Sequence, residues 1–431
     1  MSNSKVKNFK KVLMISNNPV TPYSAQGASR GSWFRDWDKD SLAMMTFAKA
    51  GKDNDFANHS FHVTIEERAG GGLLKIFFKK RTSAAGNTGG SKKEDSIKES
   101  FKHRILRILK LVFGLISSPR YSKRLKRFME DFNPDIIFST VADCYGARLA
   151  KFLSKKAKIP YIIQQEDNWL VSDVVSNVFK KQIAAIRKNC LKNSLKKAEK
   201  RYVICPSMKE YFHDLFDMEF ESLFCADEPE RFIEPVKHNP EEKTVFAYIG
   251  NSRPKRSYGF IRIAEAIKNT EIINPELRIY STNAYKEDVA KLNEFGFVKF
   301  FDVPHHNDVP KALSKANVLI HTESFDEDIV EYSRLALSSK SQIYMMAKVP
   351  ILIFSHPLTG VMDYALKTGF AVTVIEDDLD KLEQAVGSIV NDKKLRTSMV
   401  KKAYDVAIKN HNACDIRDEL KQTIEEICDN Y

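Results

Sequence analysis

Short apolar runs alternate with longer stretches of helical period along almost the whole 431-residue chain. In the first half the runs that read as strands are 12–16, 62–65, 73–78, 135–139, 161–164 and 202–205; in the second half they are 245–249, 277–281, 299–303, 318–321, 351–354 and 371–374. Strands that are apolar throughout and separated by amphipathic helices are covered on both faces, as in parallel sheets sandwiched between helices. The two series meet at EPERFIEPVKHNPEEKT, residues 228–244, whose prolines and charges place a linker near residues 230–243. The pattern predicts an α/β chain of two Rossmann-like, doubly wound parallel-sheet domains in tandem, 1–235 and 236–431. Residues 380–429 keep helical period throughout, and the last helix is expected to cross back to the N-terminal domain.

Composition narrows this picture. With 43% hydrophobic and 29% charged residues the chain has the proportions of a folded protein with a large core. No run approaches the ~18 apolar residues that a membrane-spanning helix needs, and MSNSKVKNFKKVLMIS enters the first strand with no cleavable apolar region. The six cysteines show no CxxC spacing, so neither a zinc site nor a disulfide framework is expected. These features point to a reducing, cytoplasmic location.

The net charge of +12 is concentrated in one place. Residues 98–127, KESFKHRILRILKLVFGLISSPRYSKRLKR, carry ten Lys or Arg against one Glu, and the Gly/Ser/Lys-rich stretch 80–96 before them reads as a mobile loop. Phe101, Ile105, Ile108, Leu109, Val112 and Phe113 recur at three- and four-residue steps, while Lys102, Arg104, Arg107 and Lys110 fall largely on the opposite side. A basic amphipathic helix over 97–127 follows. It fits either a patch resting on the anionic inner membrane leaflet or a surface helix with solvated cations. Nucleic acid is the rival partner for such charge, but interleaved aromatics and a recognition motif are missing, so none is expected.

In open parallel sheets ligands bind beyond the carboxyl ends of the strands, so the residues just after each strand carry the candidate chemistry. After the first strand, SNNPVTPYSAQGASRG offers Gly27 for close backbone approach and opens a helix near Ser29. YIGNSRPKRSYGF ends a strand at Gly250 and Asn251 and crowds Arg253, Lys255 and Arg256 into the turn before a helix, a good anion site. Glu323 follows another strand, and Ser339, Lys340 and Gln342 precede a helix leading to Val349 and Pro350. Glu166 and Asp167 follow the strand YIIQQ; Asp167 there is either a proton acceptor or a helix N-cap.

Together these pieces resemble the GT-B glycosyltransferases, especially the family 4 nucleotide-sugar enzymes. The matching segments are YIGN with its basic turn, ANVLIHTESF, SSK followed by YMMAKVPIL, and the tail AIKNHN; NPDIIFST, AKIPYIIQQEDNW and RYVICPSMKEYF agree in the first half. The resemblance implies two domains facing a central cleft, a nucleotide-sugar donor on the C-terminal domain and a glycan or lipid-linked acceptor on the N-terminal one. It implies that Arg253 or Arg256 with Lys340 neutralises the diphosphate, that Glu323 contacts the donor sugar, and that Glu166 or Asp167 takes the acceptor proton. Gly27, Gly250, Asn251, Ser339 and Gln342 complete the donor-binding set. Transfer onto a surface polysaccharide precursor, with no cofactor or metal, is the expected reaction.

The chain departs from the family pattern in two places. Ile343 stands where the family carries a Glu on the ribose hydroxyls, with Gln342 adjacent, and Lys348 replaces the usual Gly. The lost Glu also admits a catalytically silent GT-B partner subunit. Asp326 and Asp328 spell DED but follow the wrong strand for a metal-binding DxD, and His305 and His306 have no third ligand at usable spacing.

Overall fold

In the computed structural model the described residues are 9–21, 25–48, 55–69, 111–140, 142–170, 177–236, 243–252, 255–281 and 284–431. The cationic positions Lys102, Arg104, Arg107 and Lys110, the loop 80–96, the strand expected at 73–78 and Arg253 lie outside them.

Among the described residues thirteen strands form two sheets. The first contains β1 (Val12–Ser16), β2 (Leu42–Thr46), β3 (His59–His62), β4 (Ile136–Thr140), β5 (Tyr161–Gln165), β6 (Lys200–Val203) and β7 (Glu221–Ser222), in the order β3-β2-β1-β4-β5-β6-β7. The second contains β8 (Thr244–Ile249), β9 (Pro275–Tyr280), β10 (Val298–Phe301), β11 (Val318–Thr322), β12 (Ile351–Phe354) and β13 (Val372–Val374), in the order β10-β9-β8-β11-β12-β13. The registers are parallel, with Met14 opposite Met44 and Phe138 in one sheet and Phe246 opposite Leu277 and Val318 in the other. Each chain path runs outward from its first strand and then jumps to that strand's other side, so the strand order reverses at β1/β4 and at β8/β11. Loops diverge at such switch points and leave room for ligands.

Most strands fall at or within two residues of the expected runs, and the differences have local causes. β2 was not expected: LAMMT has no β-branched residue before Thr46, and Ala and Met favour helix in isolation, but all five residues are buried between β1 and β3. The run expected at 62–65 ends a strand that starts at His59, because Thr64 and Glu67 form a capping box that turns Ile65–Glu67 into a short 3-10 helix. The basic segment is not one helix through 127. Residues 111–116 are helical, Pro119 pairs with Arg68 in an isolated bridge, and a new helix, Lys123–Phe132, starts at the Ser122 cap. Buried Glu67 fastens this corner by accepting from Ser122 Oγ at 2.6 Å and Arg124 at 2.9 Å.

The chain forms two compact units, each discontinuous in sequence: Met1–Val20, Asp36–Tyr202 and Gln422–Tyr431 make the first, and Thr21–Arg35 with Val203–Lys421 make the second. In the first, Lys10 reaches Asp429 at 2.6 Å. In the second, Phe246, Tyr248, Phe260, Ile263, Ile320, Leu352 and Leu382 pack between the sheet and the helices Ser257–Asn269 and Leu379–Asn391. Each such buried side chain contributes about 1.5–3 kcal/mol. The core therefore holds the carboxyl ends of β8 and β11 rigidly.

Candidate functional site

The site grows from the ends of β8 and β11 in the second unit. β8 terminates at Gly250, whose φ of +128° suits glycine, and a Cβ there would lie 3.0 Å from Lys340 Cδ. Glycine thus gives the strand its turn and leaves room for the lysine stem. Lys340 caps the helix Ser341–Met346, and one turn on Tyr344 presents its hydroxyl to the Ile249 amide, which donates to it at 3.0 Å. That buried bond fastens the Lys340 helix to the end of β8. The ammonium sits 5.5 Å from the centre of the Tyr248 ring.

Arg256 immediately precedes the helix Ser257–Asn269. The helix approaches β11 closely because residue 259 is glycine; a Cβ there would fall 1.9 Å from Thr322 Oγ1. The approach brings Arg256 Nη2 to 2.6 Å from Glu323 Oε1, both side chains being nearly buried. His321 lies two residues before Glu323 in an extended segment, so both side chains point the same way, and its Nε2–H donates to the same carboxylate oxygen at 3.2 Å.

Burial alone would raise the Glu323 carboxyl, but the Arg256 guanidinium and the His321 hydrogen bond outweigh it and hold the group at about 2. His321 is pushed down to about 4, mainly by burial, with Lys340 and Arg256 adding to the effect. Lys340 is lowered from 10.5 to about 7 by burial first and Arg256 second, opposed by Glu323. Among the described residues no carboxylate lies within ion-pair distance of its Nζ. Two cations thus share one carboxylate, and Arg256 holds it.

A cavity of about 520 Å³ opens beside this group, within the usual range for small-molecule sites. Of the expected donor-binding residues, Gly250, Ser339, Lys340 and Gln342 line it; Gly27 does not, although the next two residues, Ala28 and Ser29, do. Asn251 is exposed and its carbonyl accepts from Arg256 Nη1 at 3.3 Å, while Arg256 and Glu323 form their buried pair outside the lining. The lining also includes Val303, the last residue of the run expected as a strand at 299–303, and His306, weighed in the sequence only as a metal ligand. His306 is positioned through its carbonyl, which accepts from Arg231 Nη2 at 2.7 Å, and Arg231 also pairs with Asp227. Glu166 and Asp167 follow β5 in the first unit and are half-buried; neither lines the cavity. Asp326 pairs with Lys255 at 2.7 Å in an exposed loop.

The tail motif has a structural role. His411 Nδ1–H donates to the Cys225 carbonyl at 2.8 Å, and its Nε2 accepts from Tyr364, whose hydroxyl in turn accepts from Asn410. Burial pushes His411 down to about 4. Both buried histidines are neutral in the native state and protonated below about 6.5 when unfolded, so the unfolded state binds more protons between pH 6.5 and 4. Stability is expected to fall across that window by roughly 3 kcal/mol for each histidine. Urea titrations at stepped pH read this directly. His411→Asn should flatten about half of the slope; a wild-type stability unchanged from pH 7 to 4.5 contradicts the neutral assignment.

No family model matches the sequence, and no curated protein matches it either. Solved structures do. Sucrose-phosphate synthase from Thermosynechococcus elongatus superposes with a TM-score of 0.65 at 13% identity, covering 98% of this chain and 100% of that one. Anabaena HepE in complex with UDP and glucose gives 0.62 at 10% identity, over 97% and 100%. WaaG, a glycosyltransferase involved in lipopolysaccharide biosynthesis, gives 0.57 at 12% identity, over 96% and 99%. The chain therefore has the GT-B glycosyltransferase fold.

Proposed function

We propose that the chain is a family 4-type glycosyltransferase that moves a hexosyl group from a nucleoside-diphosphate sugar to an acceptor hydroxyl without a metal. The observation that carries the reading is Lys340: a cation with no carboxylate partner among the described residues, depressed to about 7 by burial, lining a cavity at the switch point of a parallel sheet. A diphosphate there supplies the missing negative charge. As the anomeric C–O bond breaks, charge accumulates on the departing nucleoside diphosphate, and a fixed ammonium stabilises that charge. Gly250, Ser339 and Gln342 complete the donor site, and Asp167 or Glu166 is proposed to take the acceptor proton. HepE was solved with UDP and with UDP-glucose, which supports a donor of this class.

The acceptor is proposed to be a glycan or lipid-linked intermediate of surface polysaccharide synthesis. The cationic residues Lys102, Arg104, Arg107 and Lys110 would hold the protein on the anionic inner leaflet. Among the described residues no helix is long and apolar enough to cross a membrane.

The test is thermal unfolding against a panel of nucleoside diphosphates. A ligand at a hundred times its Kd stabilises the native state by about 2.7 kcal/mol, so one panel member should raise the melting temperature by several degrees. A flat response to every member removes the donor site.

A further inference from the structure

Two helices of the first unit meet on small side chains. Cys144 opens the helix Cys144–Ala157 just beyond β4, at the point where the strand order of the first sheet reverses, and Cys190 lies near the end of the helix Asn177–Leu195. The Cys190 thiol donates to the Cys144 carbonyl at 3.3 Å, and one turn further along Ser194 Oγ donates to the Ala147 carbonyl at 2.8 Å. Side chains this small let two backbones approach closely, and the two hydrogen bonds fix that approach. The cysteines are 46 positions apart, so no sequence spacing marks them; the fold brings their free thiols within hydrogen-bonding reach of each other.

The two thiols differ in access. Cys144 is 3% exposed, whereas Cys190, at 8%, lines a surface hollow of about 440 Å³ together with Arg148 and Lys151. Both cations are held by neutral groups: Arg148 donates to the Ser117 carbonyl at 3.0 Å and Lys151 to the Asn193 carbonyl at 2.9 Å, and among the described residues no carboxylate pairs with either. Positive charge beside a thiol favours the thiolate, which is the attacking form. Cys190 is lowered from its ordinary value first by the hydrogen bond from Cys144, with Arg148 and Lys151 adding to it against burial and Asp143, and Cys144 is raised in turn.

We propose that Cys144 and Cys190 form a redox-modifiable dithiol that reacts with anionic low-molecular-weight disulfides drawn to the Arg148 and Lys151 rim. The Cys190 thiolate attacks one sulfur of the reagent, whose S–S bond breaks and releases one thiolate. Cys144 then attacks Cys190 Sγ in the mixed disulfide and displaces the second. Two protein thiols become one disulfide, the reagent is reduced to two thiols, and the two protons pass from the protein to them.

The probe is glutathione disulfide, incubated with the reduced full chain before alkylation, digestion and mass spectrometry. The main product should be the peptide pair linked through Cys144 and Cys190. The linked protein should melt several degrees higher, because the closed loop restricts the unfolded chain, and dithiothreitol should reverse the shift. Cys144→Ser should stop at a glutathione adduct on Cys190, while Cys190→Ser should give neither link nor adduct at Cys144. Replacing both Arg148 and Lys151 by Gln should slow the glutathione reaction several-fold more than the reaction with neutral bis(2-hydroxyethyl) disulfide. Oxidation confined to the less buried Cys414 and Cys428, or a link that forms only in urea, overturns the dithiol. Equal slowing with the two reagents overturns the anionic preference, and an adduct on Cys144 in Cys190→Ser overturns the order of attack.

Discussion

Lys340→Met should make the free protein more stable and the donor site inert. In the native state the lysine titrates near 7 against an ordinary 10.5, so between those values the unfolded chain binds the extra proton and stability rises with pH. At and below neutral pH the buried ammonium therefore costs free energy, with an upper bound of roughly 4–5 kcal/mol. Methionine keeps the length of the stem and has no charge to desolvate, and replacement of uncompensated buried charge by a well-packed apolar group typically gains about 1–3 kcal/mol. The melting temperature of the unliganded variant should rise by a few degrees. Its response to the nucleoside diphosphate should vanish, and turnover should fall by at least roughly tenfold. The pH dependence of the wild type carries the same signature. A diphosphate selects the protonated amine, so affinity should be constant below about pH 7 and then fall by about tenfold per pH unit until the pKa of the complex is reached. A variant that is less stable than the wild type, or that binds the nucleotide normally, would remove Lys340 from the site.

Glu323→Gln should be among the most destabilising single changes in the second unit. It leaves the Arg256 guanidinium buried beside Lys340 without the carboxylate that both depend on. Breaking a buried pair from one side costs about 3–5 kcal/mol, much of it the desolvation of the charge left behind. Arg256→Met should cost a similar amount for the mirror-image reason. The double replacement Arg256→Met, Glu323→Met should recover part of the loss, because the Arg256 charge is removed together with its partner, while buried Lys340 and the His321 Nε2–H still lose the carboxylate. Urea denaturation of the wild type, Glu323→Met, Arg256→Met and the double variant completes the cycle. Additive costs would mean that the two side chains do not act as a pair in solution.

The alternation of apolar runs made both sheets legible, since strands buried on two faces advertise themselves regardless of context. β2 escaped because its sequence favours helix locally, and its neighbours β1 and β3 override that preference. Within the site, Lys340, Gly250, Arg256 and Glu323 were each readable as residues following a strand or opening a helix. Their division of labour was not, because it is set by which cation reaches the carboxylate, a matter of how closely Gly259 lets one helix approach Thr322. His321 carried a usable signal, its two-residue spacing from Glu323 in extended chain. Val303 and His306 follow β10 as the other candidates follow their strands, but nothing in the local sequence separates lining a cavity from the metal-ligand role against which His306 was weighed.

The way the chain is divided between its two units also ties them together along the sequence. Residues 21–35 of the second unit lie between two segments of the first, and Gln422–Tyr431 of the first follow the second unit's Lys421. Neither can be expressed by cutting the gene once, and a nick or truncation near the carboxyl terminus would fall on the first unit.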